Sequence, residues 1–318
     1  LPLDGLGLLE CVELARVAED LGYTDVWTSE INGADGFTLL AAIAVQTRSV
    51  RLGLAIAPVY TRPPALLAMT AASLQALSQG RFCLGLGSST EPIVERWMGQ
   101  SFDRPLVRVR ETVEVIRLAL TGERVAFQGE TVRTHDFRLQ MGPVDVPIVL
   151  AALGPRMLAL AGQVADGVVL SFAGLSAIPA QLAAVGPATQ RQDFDVLQRI
   201  GVAIDEDADR FRQAAQRELA IYARARAYNA SFARQGYAAE ASAIQAAWQQ
   251  SDARAAAGAV SERLVADTYV FGTADECRAR LATYGEAGLR TPIIVPISLD
   301  PDPAERQRRR LRVLEALV

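Results

Sequence analysis

Short apolar runs alternate with amphipathic helical stretches along almost the whole chain, and this rhythm limits the fold more than any other feature. The strand-like runs are Leu1–Leu3, Asp25–Thr28, Val50–Ala57, Phe82–Leu86, Pro147–Ala152, Asp166–Leu170, Leu197–Ile204 and Thr291–Ile297. Between them lie helical patterns: Leu8–Leu21, Phe37–Thr47, Ala65–Leu77, Pro105–Leu120, Met157–Val164 and Ala274–Glu286. Gly22, Gly122 and Gly288 stand where helices stop. Runs that are apolar throughout predict strands buried on both faces, that is, parallel strands beneath helices. Eight such units joined by right-handed crossovers predict an α/β fold of the (β/α)8 TIM-barrel type; a doubly wound open sheet is the alternative.

Two stretches depart from the rhythm. Val125 to Leu139 alternates around Gln128-Gly129-Glu130 and predicts a β-hairpin. Residues 205–260 are mostly Ala, Arg, Gln and Glu with helical periodicity, too long for an ordinary connection. They predict a helical insertion after the seventh strand, near the barrel mouth or at a dimer contact. Phe211, Leu219, Tyr222, Phe232 and Trp248 recur in it, which argues for an ordered segment. The whole of 1–318 is then expected to form a single domain.

Composition removes several function classes. Half of the 318 residues are hydrophobic, enough for a large core, and no apolar run approaches the ~20 residues of a membrane span. A net charge of −4 gives no basic footprint for nucleic acid. The chain holds 32 basic residues besides its one histidine, and every one is arginine, so Schiff-base and P-loop lysine chemistry are absent. Cys11, Cys83 and Cys277 lack paired spacing, which predicts neither zinc nor disulfides and fits a reducing cytoplasm. The single histidine, His135, falls in the hairpin, so a Ser-His-Asp triad and a His-rich metal site are not expected. A chain this short of its own acid–base groups draws its chemistry from a cofactor.

The fourth apolar run is the best place for a site; a plain strand with a polar loop behind it is the alternative. Gly85 and Gly87 allow close approach of a backbone or a flat ligand. Ser88, Ser89 and Thr90 follow at the strand's C-terminal end, the rim on which α/β folds build sites. Leu153-Gly154-Pro155-Arg156-Met157 is a second candidate. A glycine, a helix N-terminus and an arginine suit a phosphate, although Arg156 in a surface ion pair fits as well.

An ordered set of motifs resembles the bacterial luciferase-like superfamily. It comprises Gly22-Tyr23…Val26-Trp27-Thr28-Ser29-Glu30, Leu52-Gly53…Pro58…Thr61-Arg62-Pro63, Gly80-Arg81-Phe82…Leu84-Gly85-Leu86-Gly87, Arg104-Pro105…Arg108…Arg110-Glu111 and Ala165-Asp166-Gly167-Val168. Within that superfamily the chain is most similar to actinobacterial oxidoreductases that use coenzyme F420, an 8-hydroxy-5-deazaflavin. The resemblance implies a (β/α)8 barrel with the cofactor at the C-terminal mouth, a small-molecule substrate and a homodimer. It implies a non-prolyl cis peptide at Ala55–Ile56 behind the ring; a plain buried strand is the alternative. It implies cofactor contacts from Ser29, Asn32, Ala55, Ile56, Gly87, Ser88, Ser89, Ala152, Leu153, Gly154 and Arg156, the last group around the phosphate. FMN is the alternative cofactor, in a monooxygenase fed by a partner reductase. A catalytically silent flavin-binding protein is a reading from another class.

The chain departs from the pattern at one point. Many members carry His directly after the acidic residue of the second strand; here Ile31 follows Glu30. Glu30 is then the candidate acid–base group, unless it serves only to bond Arg62 or a backbone turn. Thr90 stands where some dehydrogenases of the family place a catalytic Glu, and is the second catalytic candidate. The dimer contact is expected on Phe37–Thr47 and Ala65–Leu77, which are rich in Ala, Leu and Met.

Overall fold

Parallel pairing requires apolar side chains on both faces of a strand, and the runs read from the sequence supply them. The computed structural model describes residues 1–3 and 5–318. Its strands are β1 (Asp25–Thr28), β2 (Arg51–Pro58), β3 (Phe82–Gly87), β4 (Arg124–Gln128), β5 (Arg133–Arg138), β6 (Ile148–Ala151), β7 (Gly167–Ser171), β8 (Asp195–Ile204), β9 (Val270–Gly272) and β10 (Thr291–Pro296). Eight belong to one sheet, in the order β1-β2-β3-β6-β7-β8-β10, with β9 also paired to β8. The pairings β1–β2, β2–β3, β3–β6, β6–β7, β8–β9 and β8–β10 are parallel. The antiparallel β4–β5 pair is the expected hairpin, and His135 lies exposed on it.

The membership of the eight corrects the sequence expectation. Leu1–Leu3 form no strand, and the three-residue β9 takes the eighth place. Pro2 has no N–H to donate, and Leu3 accepts a bond from the Leu6 N–H at 3.1 Å, which turns the chain; beside β1 only Leu1 is held, its amino group donating to the Trp27 carbonyl at 2.5 Å and its carbonyl accepting the Ser29 N–H at 3.1 Å. Three α-helices lie outside the sequence reading: Ile178–Val185, Glu262–Thr268 and Pro303–Ala316.

Contacts divide the chain into two compact units. The first comprises residues 1–152, 156–169 and 185–195. It holds β1–β3, β6 and the hairpin, together with α1 (Leu8–Asp20), α2 (Gly36–Gln46), α3 (Pro64–Leu77) and α4 (Pro105–Leu120). Arg81 braces it: its guanidinium donates to the carbonyls of Ala44, Thr47 and Val50 at 2.7–3.0 Å, satisfying the open C-terminal end of α2. Glu111, 3 % exposed, accepts the N–H groups of Glu130, Thr131 and Val132 and so ties α4 to the hairpin tip. A side chain on Gly129 would overlap that carboxylate. Asp166 accepts both the Ile148 N–H and Arg117, at 2.8 and 2.7 Å.

The second unit comprises residues 153–155, 170–184 and 196–318. Residues 205–260 are helical as expected: α5 (Ala208–Tyr222), α6 (Arg226–Phe232), α7 (Ala238–Gln249) and α8 (Ala253–Gly258), with α9 (Glu262–Thr268) following. The recurrent aromatics explain why this stretch folds. Phe211, Leu219, Phe232, Tyr237 and Ile244 form one buried cluster with Ala203 of β8 and Tyr269. Each such buried side chain contributes about 1.5–3 kcal/mol.

Candidate active site

In the first unit, β1, β2 and β3 are parallel neighbours, so their C-terminal ends arrive at one edge. That edge gathers Ser29 and Glu30, then Ala55 to Pro58, then Gly87, Ser88, Ser89 and Thr90. The Ala55–Ile56 bond is cis, and the β2–β3 register shifts between Leu54 and Ala57, as a bulge there requires. The glycines of β3 make room for the bulge. A Cβ on Gly85 would overlap the Leu54 carbonyl oxygen, and one on Gly87 would press on the Ile56 side chain at 3.0 Å and Ala151 Cβ at 3.2 Å. Ser89 takes a left-handed conformation, φ 60°, and Ser88 Oγ donates to its carbonyl at 3.2 Å. The Thr90 carbonyl accepts the Ile93 and Val94 N–H groups and opens a helical turn.

Glu30 has two different oxygens. Oε1 accepts Arg62 Nη2 at 2.7 Å; Oε2 is shut off from solvent and completes no hydrogen bond. Arg62 also pairs with Asp35 and lies over the Phe37 ring, 4.7 Å from its centroid. Burial works against the Arg62 charge, but its bonds to Glu30 and Asp35 outweigh that and raise the guanidinium above its ordinary value. The Asp35 carboxyl is lowered despite its burial, by the Thr38 N–H at the start of α2 and by Arg62. Nearby, Arg108 stacks over Tyr60 at 4.7 Å, and burial pushes the Tyr60 phenol up to about 12. An idle buried carboxylate oxygen with adjoining hydroxyls and small side chains suits a flat polar–apolar ligand better than it suits a sealed core.

The remaining candidates fall elsewhere. Asn32 and Ile31 are exposed on the loop before α2. Ala152 is 3 % exposed, and its N–H bonds the Val169 carbonyl at 3.1 Å. Leu153 and Gly154 are half-buried, and Arg156 is exposed in the first turn of the helix Pro155–Val164. Gly154 faces open space: a Cβ there would meet only Arg234, at 3.6 Å. Arg234 Nη2 also donates to the Leu153 carbonyl at 2.9 Å. Arg234 was not visible as a site residue, since 81 positions separate the two. Among the described residues no cluster of His, Cys, Asp and Glu could hold a metal ion, and no helix is long and apolar enough to cross a membrane.

Known proteins align with this geometry. A 5,10-methylenetetrahydromethanopterin reductase of Methanolobus tindarius is 31 % identical over 303 residues, covering 93 % of this chain and 92 % of its own. A Mycobacterium tuberculosis protein, provisionally named a coenzyme F420-dependent oxidoreductase, is 31 % identical over 314 residues, covering 89 % of each chain. The solved F420-dependent tetrahydromethanopterin reductase of Methanopyrus kandleri superposes with a TM-score of 0.78 at 23 % identity, over 98 % of this chain and 94 % of that one. The (β/α)8 fold class expected from the alternation therefore stands. The model of the luciferase-like monooxygenase family matches residues 4–291, and the chain belongs to the bacterial luciferase-like family.

Proposed function

We propose that the protein is a coenzyme F420-dependent oxidoreductase that passes a hydride between the deazaflavin and a small organic substrate. The observation that carries this reading is identity of about 31 % over some nine-tenths of the chain to relatives named for F420 or for methylenetetrahydromethanopterin reduction. When bound, the deazaflavin supplies two-electron hydride transfer. The chain's own residues bind and orient. Ala55 and Ile56 give the ring an apolar backing, and Ser88, Ser89 and Thr90 offer hydroxyls to its polar edge. The loop Leu153-Gly154-Pro155-Arg156 takes the phosphate through free helix N–H groups and the guanidinium. Arg62 holds Glu30 in place through Oε1, and the Glu30 carboxylate is the group of this rim that exchanges a proton with the substrate.

Titration of the purified chain with F420 and with FMN, each oxidised and reduced, tests the reading. F420 is expected to bind in the micromolar range, about tenfold or more tighter than FMN. The reverse order assigns the protein to flavin chemistry, and no binding of either removes the redox reading.

A further inference from the structure

Arg199 breaks the burial pattern of β8. Gln198 and Ile200, its chain neighbours, are 0 % exposed, and so is Leu197, two residues back on the same face. The Arg199 side chain nevertheless keeps 49 % of its surface open. A guanidinium presented from the middle of an otherwise closed strand marks an opening within the second unit.

The groups around it are those of a binding site. Glu218 of α5 approaches one guanidinium nitrogen at 3.5 Å, a long contact for an ion pair. Tyr222 and Tyr269 lie within electrostatic reach of the charge. The Tyr269 hydroxyl, on a residue 3 % exposed, faces the same Glu218 carboxylate without a close hydrogen bond. Phe172 packs 4.7 Å from Tyr222 and 6.3 Å from Tyr269, and Tyr228 lies 5.1 Å from Tyr222, so the wall is aromatic. Burial holds the Tyr228 phenol up at about 12 and pushes the Tyr269 phenol well above its ordinary value of 10, so both are neutral at pH 7. A guanidinium has five N–H donors in a planar fork, and one long contact to Glu218 leaves most of that fork unused.

We propose that Arg199 binds the oxyanion of the substrate: a carboxylate or phosphate carried on an apolar or aromatic body, which Phe172, Tyr222 and Tyr228 cover. Carboxylate and phosphate both match the fork in bidentate geometry. The word substrate rests on the oxidoreductase reading; the binding of an oxyanion does not.

Calorimetric titration of the purified chain with benzoate, benzyl alcohol and inorganic phosphate, no cofactor added, separates the two. Benzoate is expected to bind, and to bind about 10- to 100-fold more weakly to Arg199→Gln, the loss of a charge-assisted contact. Benzyl alcohol, with the same ring and no charge, is expected to bind both proteins equally weakly. Arg199→Lys keeps the charge but loses the fork and is expected to bind benzoate more weakly than wild type and more tightly than Arg199→Gln, which separates lost charge from lost fold. Displacement of benzoate by phosphate assigns the site to phosphorylated substrates, and failure to displace assigns it to carboxylates. Absence of benzoate binding to the wild type, or equal binding to a folded Arg199→Gln, overturns the proposal and leaves Arg199 as a strut for Glu218.

Discussion

Glu30 and Arg62 form an ion pair across 32 positions of the chain. The sequence offered two roles for Glu30, an acid–base group or a partner for Arg62; the structure shows the second through Oε1 and leaves Oε2 without a bond. Glu30→Gln keeps the shape and can still accept from Arg62 through its amide oxygen. Turnover of the F420 reaction is expected to fall by about 10²–10⁴ while cofactor affinity stays near wild type. Steady-state kinetics across pH 5 to 9 beside a binding titration checks this; unchanged turnover assigns Glu30 to structure alone. Other motif residues have plainer tasks. Arg81, Glu111 and Asp166 satisfy backbone groups between elements, so the features that made the family legible are in large part braces. Arg156 is exposed, and its loss should hardly touch stability. Arg156→Ala is instead expected to weaken cofactor binding by about 1.5–3 kcal/mol, read by the same titration.

At the scale of elements, the connections between helices and strands depend on few groups. Glu19, near the end of α1, accepts the N–H groups of Arg48, Ser49 and Val50 ahead of β2. Partial burial disfavours its charge, but those amides and the Ser49 hydroxyl outweigh it and lower the carboxyl to about 2. A carboxyl lowered on folding contributes stability above its ordinary value of 4.5, and that contribution fades as pH falls towards about 2. Allowing for solvent screening, Glu19→Gln should cost on the order of 1–2 kcal/mol at pH 7 and flatten the acid limb of a urea-denaturation series between these pH values. The β2–β3 pair depends on space rather than charge. Gly85→Ala would drive a methyl into the Leu54 carbonyl, and a loss of about 1–3 kcal/mol or more is expected from chemical denaturation.

For the whole molecule, the exposed apolar side chains of α2 and α3 bear on assembly. Val45, Leu66, Met69 and Leu77 are 60, 42, 46 and 46 % exposed. We propose that two copies pair through these helices, because a monomer would leave that patch in water. Light scattering at micromolar protein should give twice the chain mass, and Met69→Glu should give the single mass; a monomeric wild type discards the pairing. The sequence by itself determined the alternation of strand and helix, the hairpin, the helical nature of 205–260 and the glycine–hydroxyl rim. Each of these is written in a local period or in a run of adjacent residues, and local sterics enforce them. It misjudged which segments fill the eight strand places, because a three-residue strand such as β9 has no period and exists only through its pairing with β8. Tertiary structure alone decided that Arg62 holds one oxygen of Glu30 across 32 positions, that Arg234 reaches Leu153 across 81, and that Arg199 stands open between closed neighbours. Long-range contacts of this kind depend on how the packed elements converge, and no local pattern in the chain encodes where a side chain will meet its partner.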